Sequence, residues 1–264
     1  MRKTVIVAGI VAGLTTAVGA FAQEAGGEGQ ANVGMSLPGA TPAAAAAGAS
    51  DHDQVVGRLA VGYLGRATVG AGSLAIGDAP GPDNPEGYAV VGLAPVVGVR
   101  YWINSMLGLD AGIGVALIGG SIEENAPDND VDLDSFTGFV FHGGVPLALA
   151  SAQHFTFQIV PEANIGIGSA EQADGDVTHN GFHLDIGARA GAEIHFGFID
   201  IPQLSLQGSI GVQFAIDNGS TETDPPGAGA PPDSIDRSRT ALQTTVGSNP
   251  WNIFTSNVAA LYYF

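Results

Sequence analysis

Bulky apolar residues recur at every second position over stretches long enough to cross a bilayer, and this period of two constrains the fold more than any other feature. Leu107, Leu109, Ala111, Ile113, Val115 and Leu117 alternate with Gly108, Asp110, Gly112, Gly114 and Ala116. Phe155, Phe157, Ile159, Pro161, Ala163, Ile165 and Ile167 alternate with Thr156, Gln158, Glu162, Asn164 and Gly166. From Phe182 to Phe196 the partners are His183, Asp185, Arg189, Glu193 and His195. Successive side chains of an extended chain point to opposite faces, so each stretch reads as a strand with one bulky apolar face and one small or charged face. Weaker versions begin at Leu59, Leu93, Phe139, Leu204 and Phe254, which brings the predicted count to eight. Each offers about 9 to 11 residues, the length of a tilted membrane-crossing strand. Beyond residue 53 no stretch of eighteen uninterrupted apolar residues exists, so a helical span is not expected.

The connections alternate as well. Asn104 to Met106, Ser151 to His154 and Gly197 to Gln203 are short, whereas Gly65 to Tyr88, Gly119 to Asp134, Gly168 to Gly181 and Ala215 to Pro250 are long and polar. Short turns at one end and long loops at the other are the habit of bacterial membrane barrels. A soluble eight-stranded barrel would turn its polar face outward and fill its centre with the apolar one. Here every strand charge falls on the small-residue face: Arg58, Arg100, Asp110, Glu162, Asp185, Arg189 and Glu193, with Arg66 joining if the first strand reaches it. Placing the apolar face toward lipid and the charges in the lumen satisfies both sets, because closure pairs every backbone group within the sheet. The expected fold is therefore all-β, an eight-stranded antiparallel up-and-down transmembrane β-barrel. Its four arginines and four carboxylates are expected to form a near-neutral lumen network, since an unpaired buried charge costs several kcal/mol.

Before the strands come two other segments. Arg2 and Lys3, an apolar run from Val5 to Val18 and the small-x-small site Ala20-Phe21-Ala22 read as a signal peptide over residues 1–22. Residues 23–53 are Gly, Ala and Pro with scattered acids and no periodicity, and read as a disordered periplasmic leader ahead of a barrel at 54–264. The whole chain carries a net charge of −18; without residues 1–22 six basic residues face 26 acidic ones, −20, and no lysine is left. Nucleic acid is excluded as a partner, because phosphate binding needs basic clusters. The acidic excess lies in the leader and loops, most densely at Glu123, Glu124, Asp128, Asp130, Asp132 and Asp134. Aromatic residues near the strand ends suggest two interfacial girdles, Tyr101, Trp102, Phe155, Phe196, Phe198 and Tyr262 at the turns and Tyr88, Phe136, Phe182, Phe214 and Trp251 at the loops.

Val258, Ala260, Tyr262 and Phe264 place apolar residues at alternate positions up to a final Phe, a pattern that resembles the signal read by the bacterial barrel-assembly machinery. From about Gln54 to Phe264 the chain resembles the small eight-stranded outer-membrane proteins, the class of the OmpA transmembrane domain and OmpX. The run Pro95 to Ile103 with Gly108-Leu109-Asp110 resembles barrel domains of deltaproteobacterial envelopes. The resemblance implies a monomer in the outer membrane, with long loops extracellular and both termini periplasmic. Its partners would be membrane lipids and lipopolysaccharide, with the assembly machinery during biogenesis.

No enzyme or cofactor is expected. The strand histidines His142, His183 and His195 share the lumen face, away from the outward Ser256, so no lipid-facing Ser-His pair forms. Asp174, Asp176 and His179 are the only loop group with the elements of an acid-histidine protease. Asp128, Asp130, Asp132 and Asp134 space oxygen ligands as calcium loops do, yet Leu133 stands where such a loop has Gly and Phe139 where it has Glu. A solvated acidic loop is the better reading. The functional expectation is a non-catalytic barrel with a structural or surface-interaction role, the alternative being a conduit for small solutes or hydrophobic ligands of the OmpW kind.

Overall fold

The computed structural model describes residues 49–72, 89–122, 131–173, 176–223, 233–246 and 257–264, all within the second of the chain's two compact units, Ala46–Phe264. Among the described residues one short helix, α1 (Asp51–Val55), precedes the strands β1 (Leu59–Gly72), β2 (Ala89–Trp102), β3 (Gly108–Ile122), β4 (Val131–Gly144) and β5 (Leu147–Ser151). There follow β6 (Phe155–Glu171), β7 (Val177–Phe196), β8 (Ile201–Thr223), β9 (Asp233–Thr244) and β10 (Val258–Tyr263). All pairings are antiparallel. Neighbours run β1, β2, β3, β4, β6, β7, β8, β10, and β10 pairs back onto β1, so eight strands close a ring.

Two strands lie off that ring. After Val145-Pro146 the chain resumes as β5, which pairs with the near half of β6 in the same lane as β4. β9 pairs with the far half of β8, from Val212 opposite Thr244 to Thr223 opposite Asp233. Residues taken from sequence as long loops are in part strand: β6 runs to Glu171, β7 starts at Val177, and β8 and β9 form a hairpin within 215–250. These extensions lack an apolar face, so alternation does not mark them; the ladder to a neighbouring strand holds them instead.

The two faces differ as the alternation requires. Val97, Ile113 and Phe141 sit side by side on β2, β3 and β4 and are all more than half exposed on the outside. Arg100, Trp102, Gln158, Glu193 and Tyr263 point inward and are wholly buried. Trp102 and Phe136 thus leave the aromatic girdles, because both hold inward positions on their strands. Tyr101, Phe155, Phe198, Tyr262 and Phe214 are exposed as expected, while Tyr88 and Trp251 lie outside the described residues.

β1 departs from a regular strand. Its pairing with β2 slips between Tyr63 and Gly65, and Gly65 takes a φ of 115°, which a side chain would disfavour. The slip reverses the parity: Ala60 and Leu64 are buried below it, Ala67, Val69 and Ala71 above it. The far half of β1 leans across the ring onto glycines of β4, β6 and β7. A Cβ on Gly138 would stand 2.7 Å from Val69 Cγ1, and one on Gly168 2.9 Å from Gly70 O. The missing side chains are the room that β1 occupies.

α1 closes the short-turn end. Ser50 and Asp53 cap it reciprocally: Asp53 N donates to Ser50 Oγ at 3.2 Å and Ser50 N to Asp53 Oδ2 at 2.9 Å. The helix then engages all three short turns. His52 Nε2 donates to Ser105 O (2.9 Å), Asp51 N donates to Gln153 O (2.9 Å), and Gly197 N donates to Asp51 Oδ2 (3.1 Å). Asp51, His52 and Asp53, which fall within the leader expected over 23–53, are ordered as part of this docked cap. The expected signal peptide and the rest of the leader lie outside the described residues.

Candidate functional site

The polar interior of the ring is the candidate site, and it is built in layers. Odd positions of β7 and β8 and even positions of β2, β3 and β6 point inward; β6, β7 and β8 carry most of the polar groups there, while β2 and β3 supply Arg100 and Asp110 mostly among glycines and small apolar residues. Next to α1 lies an aromatic and imidazole layer. His52 stacks edge-on against Trp102 with centroids 4.5 Å apart, and His195 lies 6.1 Å from His52. Burial pushes the His52 imidazole below its ordinary value, because the charged form would lose its hydration; the carbonyl of Ser105 and the charge of Glu193 oppose this in part. At the exposed rim the Ser50 cap holds the Asp53 carboxyl below its ordinary value.

Above this layer sits Arg100. Its Nε and Nη2 each donate to Asp110 at 2.7 Å, and its Nη1 donates to Glu193 at 3.0 Å and Gln207 at 2.8 Å. Arg100 and Asp110 face each other across the β2–β3 pair, which makes the bidentate geometry a consequence of register. Glu193 also accepts from Ser205 Oγ at 2.6 Å, Tyr263 Oη at 2.8 Å and Gln158 Nε2 at 3.3 Å, and Trp102 Nε1 donates to Tyr263 Oη at 3.0 Å. One network thereby ties β2, β3, β6, β7, β8 and β10 together.

A third layer lies beyond. Arg189 Nε donates to Glu162 at 2.7 Å and its Nη1 to Ser209 at 3.3 Å. His142 Nδ1 meets Asn164 Oδ1 at 2.8 Å. His183 stands between Asp185, at 2.7 Å, and Asp217. A cavity of about 330 Å³ opens among these groups, bounded by Glu162, Asp185, Arg189 and His142 on one side and by β1 and β9 on the other.

Six of the eight expected lumen charges face the interior: Arg100, Asp110 and Glu193 in one network, Glu162 with Arg189, and Asp185 with His183. Arg58 and Arg66 do not. Arg58 precedes β1 and is exposed, and Arg66 lies past the slip at Gly65, where even positions turn outward. Of the expected set, two arginines and four carboxylates face the interior, so the expected balance of four against four does not form. Hydroxyl and amide donors meet part of the difference, and His183 stands between two carboxylates, Asp185 and the further partner Asp217. Sequence reasoning put Gln158 on the inward face without a role and missed Ser205, Gln207 and Tyr263, although the parity of their strands marked each of them. It also missed Asp51 and His52, which carried no periodic signal.

Val258, Ala260, Tyr262 and Phe264 lie on the outward side of β10, with Tyr262 and Phe264 well exposed. Of the acidic loop, Asp128 and Asp130 lie outside the described residues, Asp132 pairs in register with Ser121, and Asp134 Oδ1 accepts from Ala173 N at 3.1 Å. Among the described residues no group of three His, Asp or Glu side chains has metal-holding geometry. His179 is turned toward Thr221, 3.0 Å away, and Asp174 and Ser256 are outside the described residues. Comparisons with protein-family models, with curated proteins and with solved structures find no match.

Proposed function

We propose that the ring is an eight-stranded antiparallel up-and-down β-barrel that spans the bacterial outer membrane and acts without catalysis as a structural or surface-contact protein. The observation that carries this reading is the inversion of polarity: Val97, Ile113 and Phe141 form an exposed apolar row while Arg100, Asp110 and Glu193 are buried at the centre. In water that arrangement would expose a large apolar surface and bury charge, both unfavourable; in lipid the apolar belt is solvated. The short turns capped by α1 would face the periplasm. The long acidic connections would face outward, toward lipopolysaccharide and whatever the cell surface meets. Phe264 and the outward residues of β10 would be the part handed to the assembly machinery.

Fractionation tests this directly. The protein should co-sediment with outer membranes, resist carbonate extraction and migrate faster unheated than boiled in dodecyl sulfate gels. Recovery in the soluble periplasm would overturn the reading.

The cavity beside β1 and β9 supports a second role, passage of a small or amphipathic ligand through the wall. Arg100 and its partners fill the section below it, so planar bilayers are expected to show no reproducible unitary conductance along the axis.

A further inference from the structure

Unused hydrogen-bond acceptors line the inner wall of the third-layer cavity. Glu162 Oε2 takes both Nε and Nη2 of Arg189, and Glu162 Oε1 has no partner among the described residues. Arg189 spends its remaining nitrogen, Nη1, on Ser209 Oγ. His142 is 8% exposed; its Nδ1 meets Asn164 Oδ1, and its Nε2 has no partner. Because that amide oxygen only accepts, Nδ1 carries the proton and Nε2 offers a lone pair. Register brings the two acceptors together. His142 stands opposite Asn164 on the β4–β6 pair, and Glu162 lies two residues from Asn164 on the same face of β6.

Charge selects the kind of donor. The inner wall holds two carboxylates, Glu162 and Asp185, against one guanidinium, Arg189, and all three side chains are nearly buried. Asp185 shares the single imidazole of His183 with Asp217, and its only other side-chain partner among the described residues is Gln213 Nε2, 3.3 Å away. One imidazole covers at most one of those two carboxylates. Arg239 stands opposite Asp217 in the β8–β9 register, on the side away from Asp185, and makes no ion pair among the described residues. The remaining charge of the lining, Arg66, is exposed. Water and salt screen an exposed guanidinium, whereas nearly buried carboxylates keep most of their field. The wall that carries the unused acceptors therefore favours a positive guest.

We propose that the cavity binds a small organic cation through a primary ammonium group whose N–H bonds go to Glu162 Oε1 and His142 Nε2. An ammonium brings three donors and one charge, and so meets both atoms at once. A volume of about 330 Å³ lies at the small end of ligand pockets and calls for a guest of few atoms. The site lies inside the ring, so the inference does not depend on the membrane reading.

The test is calorimetric titration of the full protein in dodecyl maltoside micelles with propylammonium, micelles alone serving as baseline. One saturable site is expected. Propan-1-ol lacks the charge, propionate reverses it and tetramethylammonium lacks N–H donors; each should bind at least roughly tenfold more weakly, the share of one charge-assisted hydrogen bond. Imidazole nitrogen NMR should show the unprotonated His142 Nε2 moving upfield on saturation while Nδ1 keeps its proton, a signature that needs no interior substitution. Thr244→Arg adds a cation to the lining from an exposed position and should weaken binding at least roughly threefold. Ser238→Arg, exposed on the same strand and outside the lining, should change it less than about twofold. Equal binding of any of the three comparison solutes, an unmoved His142 Nε2, or equal effects of the two arginine variants overturns the proposal. So does the lack of saturable binding by protein whose circular dichroism shows the strands formed.

Discussion

Replacing Arg100 by leucine tests whether the interior network holds the ring together. The guanidinium is 1% exposed and its carboxylate partners Asp110 and Glu193 are fully buried. Removing one member of such a pair leaves charge buried without compensation, at a cost of about 3–5 kcal/mol. The damage should be uneven. Both oxygens of Asp110 bond to Arg100, whereas Glu193 keeps the hydroxyls of Ser205 and Tyr263 and the amide of Gln158. Most of the loss therefore belongs to Asp110, and the double variant Arg100→Leu/Asp110→Leu should be milder than Arg100→Leu alone, within about 2 kcal/mol of the parent. Urea titration in lipid vesicles, with the folded fraction read from the gel-mobility difference between unheated and boiled samples, measures all three. An Arg100→Leu loss under about 1 kcal/mol, or a double variant less stable than the single one, would refute the reasoning.

Three further outcomes follow from other parts of the molecule. Ile113→Arg places a charge on the exposed belt and should cost about 2–4 kcal/mol in vesicles, while a polar residue at Arg66, already outside, should change stability by less than about 0.5 kcal/mol; both are read by the same titration. Gly168→Ala pushes a methyl toward Gly70 O and should lose about 1–3 kcal/mol, where Gly143→Ala, with open space around it, should lose almost nothing. His52 is held below its ordinary value of 6.5 by burial, so the undocked helix binds protons more readily than the docked one. Docking of α1 is therefore complete above about pH 6.5 and weakens as pH falls through the lowered value. Hydrogen exchange of residues 51–55 should accelerate on acidification, and His52→Phe should remove that dependence; a pH-independent exchange rate in the parent would count against it.

Much of this architecture was legible because a strand reports its two faces every second residue. Asp110, Glu162, Arg189 and Glu193 could be assigned to one side from spacing alone, and the same parity would have found Ser205 and Gln207 had their strand been read through its weaker alternation. The network's wiring was not legible. That Arg100 meets Asp110 follows from the register of β2 on β3, and that it meets Glu193 follows from curvature, since these residues lie on opposite parts of the ring and 93 positions apart. Arg66 shows the opposite failure, because one slip at Gly65 reverses every later side chain of β1 and leaves only a glycine as its trace.

By itself, then, the alternation determined an all-β chain with an apolar and a polar face, because the hydrophobic pattern acts locally and with a fixed period. Only the tertiary structure decided where the ring closes, which charges lie within it, and that Ser50 to Val55 seal one end. Those outcomes depend on distant segments meeting: α1 is held by three turns and β1 by glycines on three other strands. Distances of this kind have no periodic imprint in the chain that makes them.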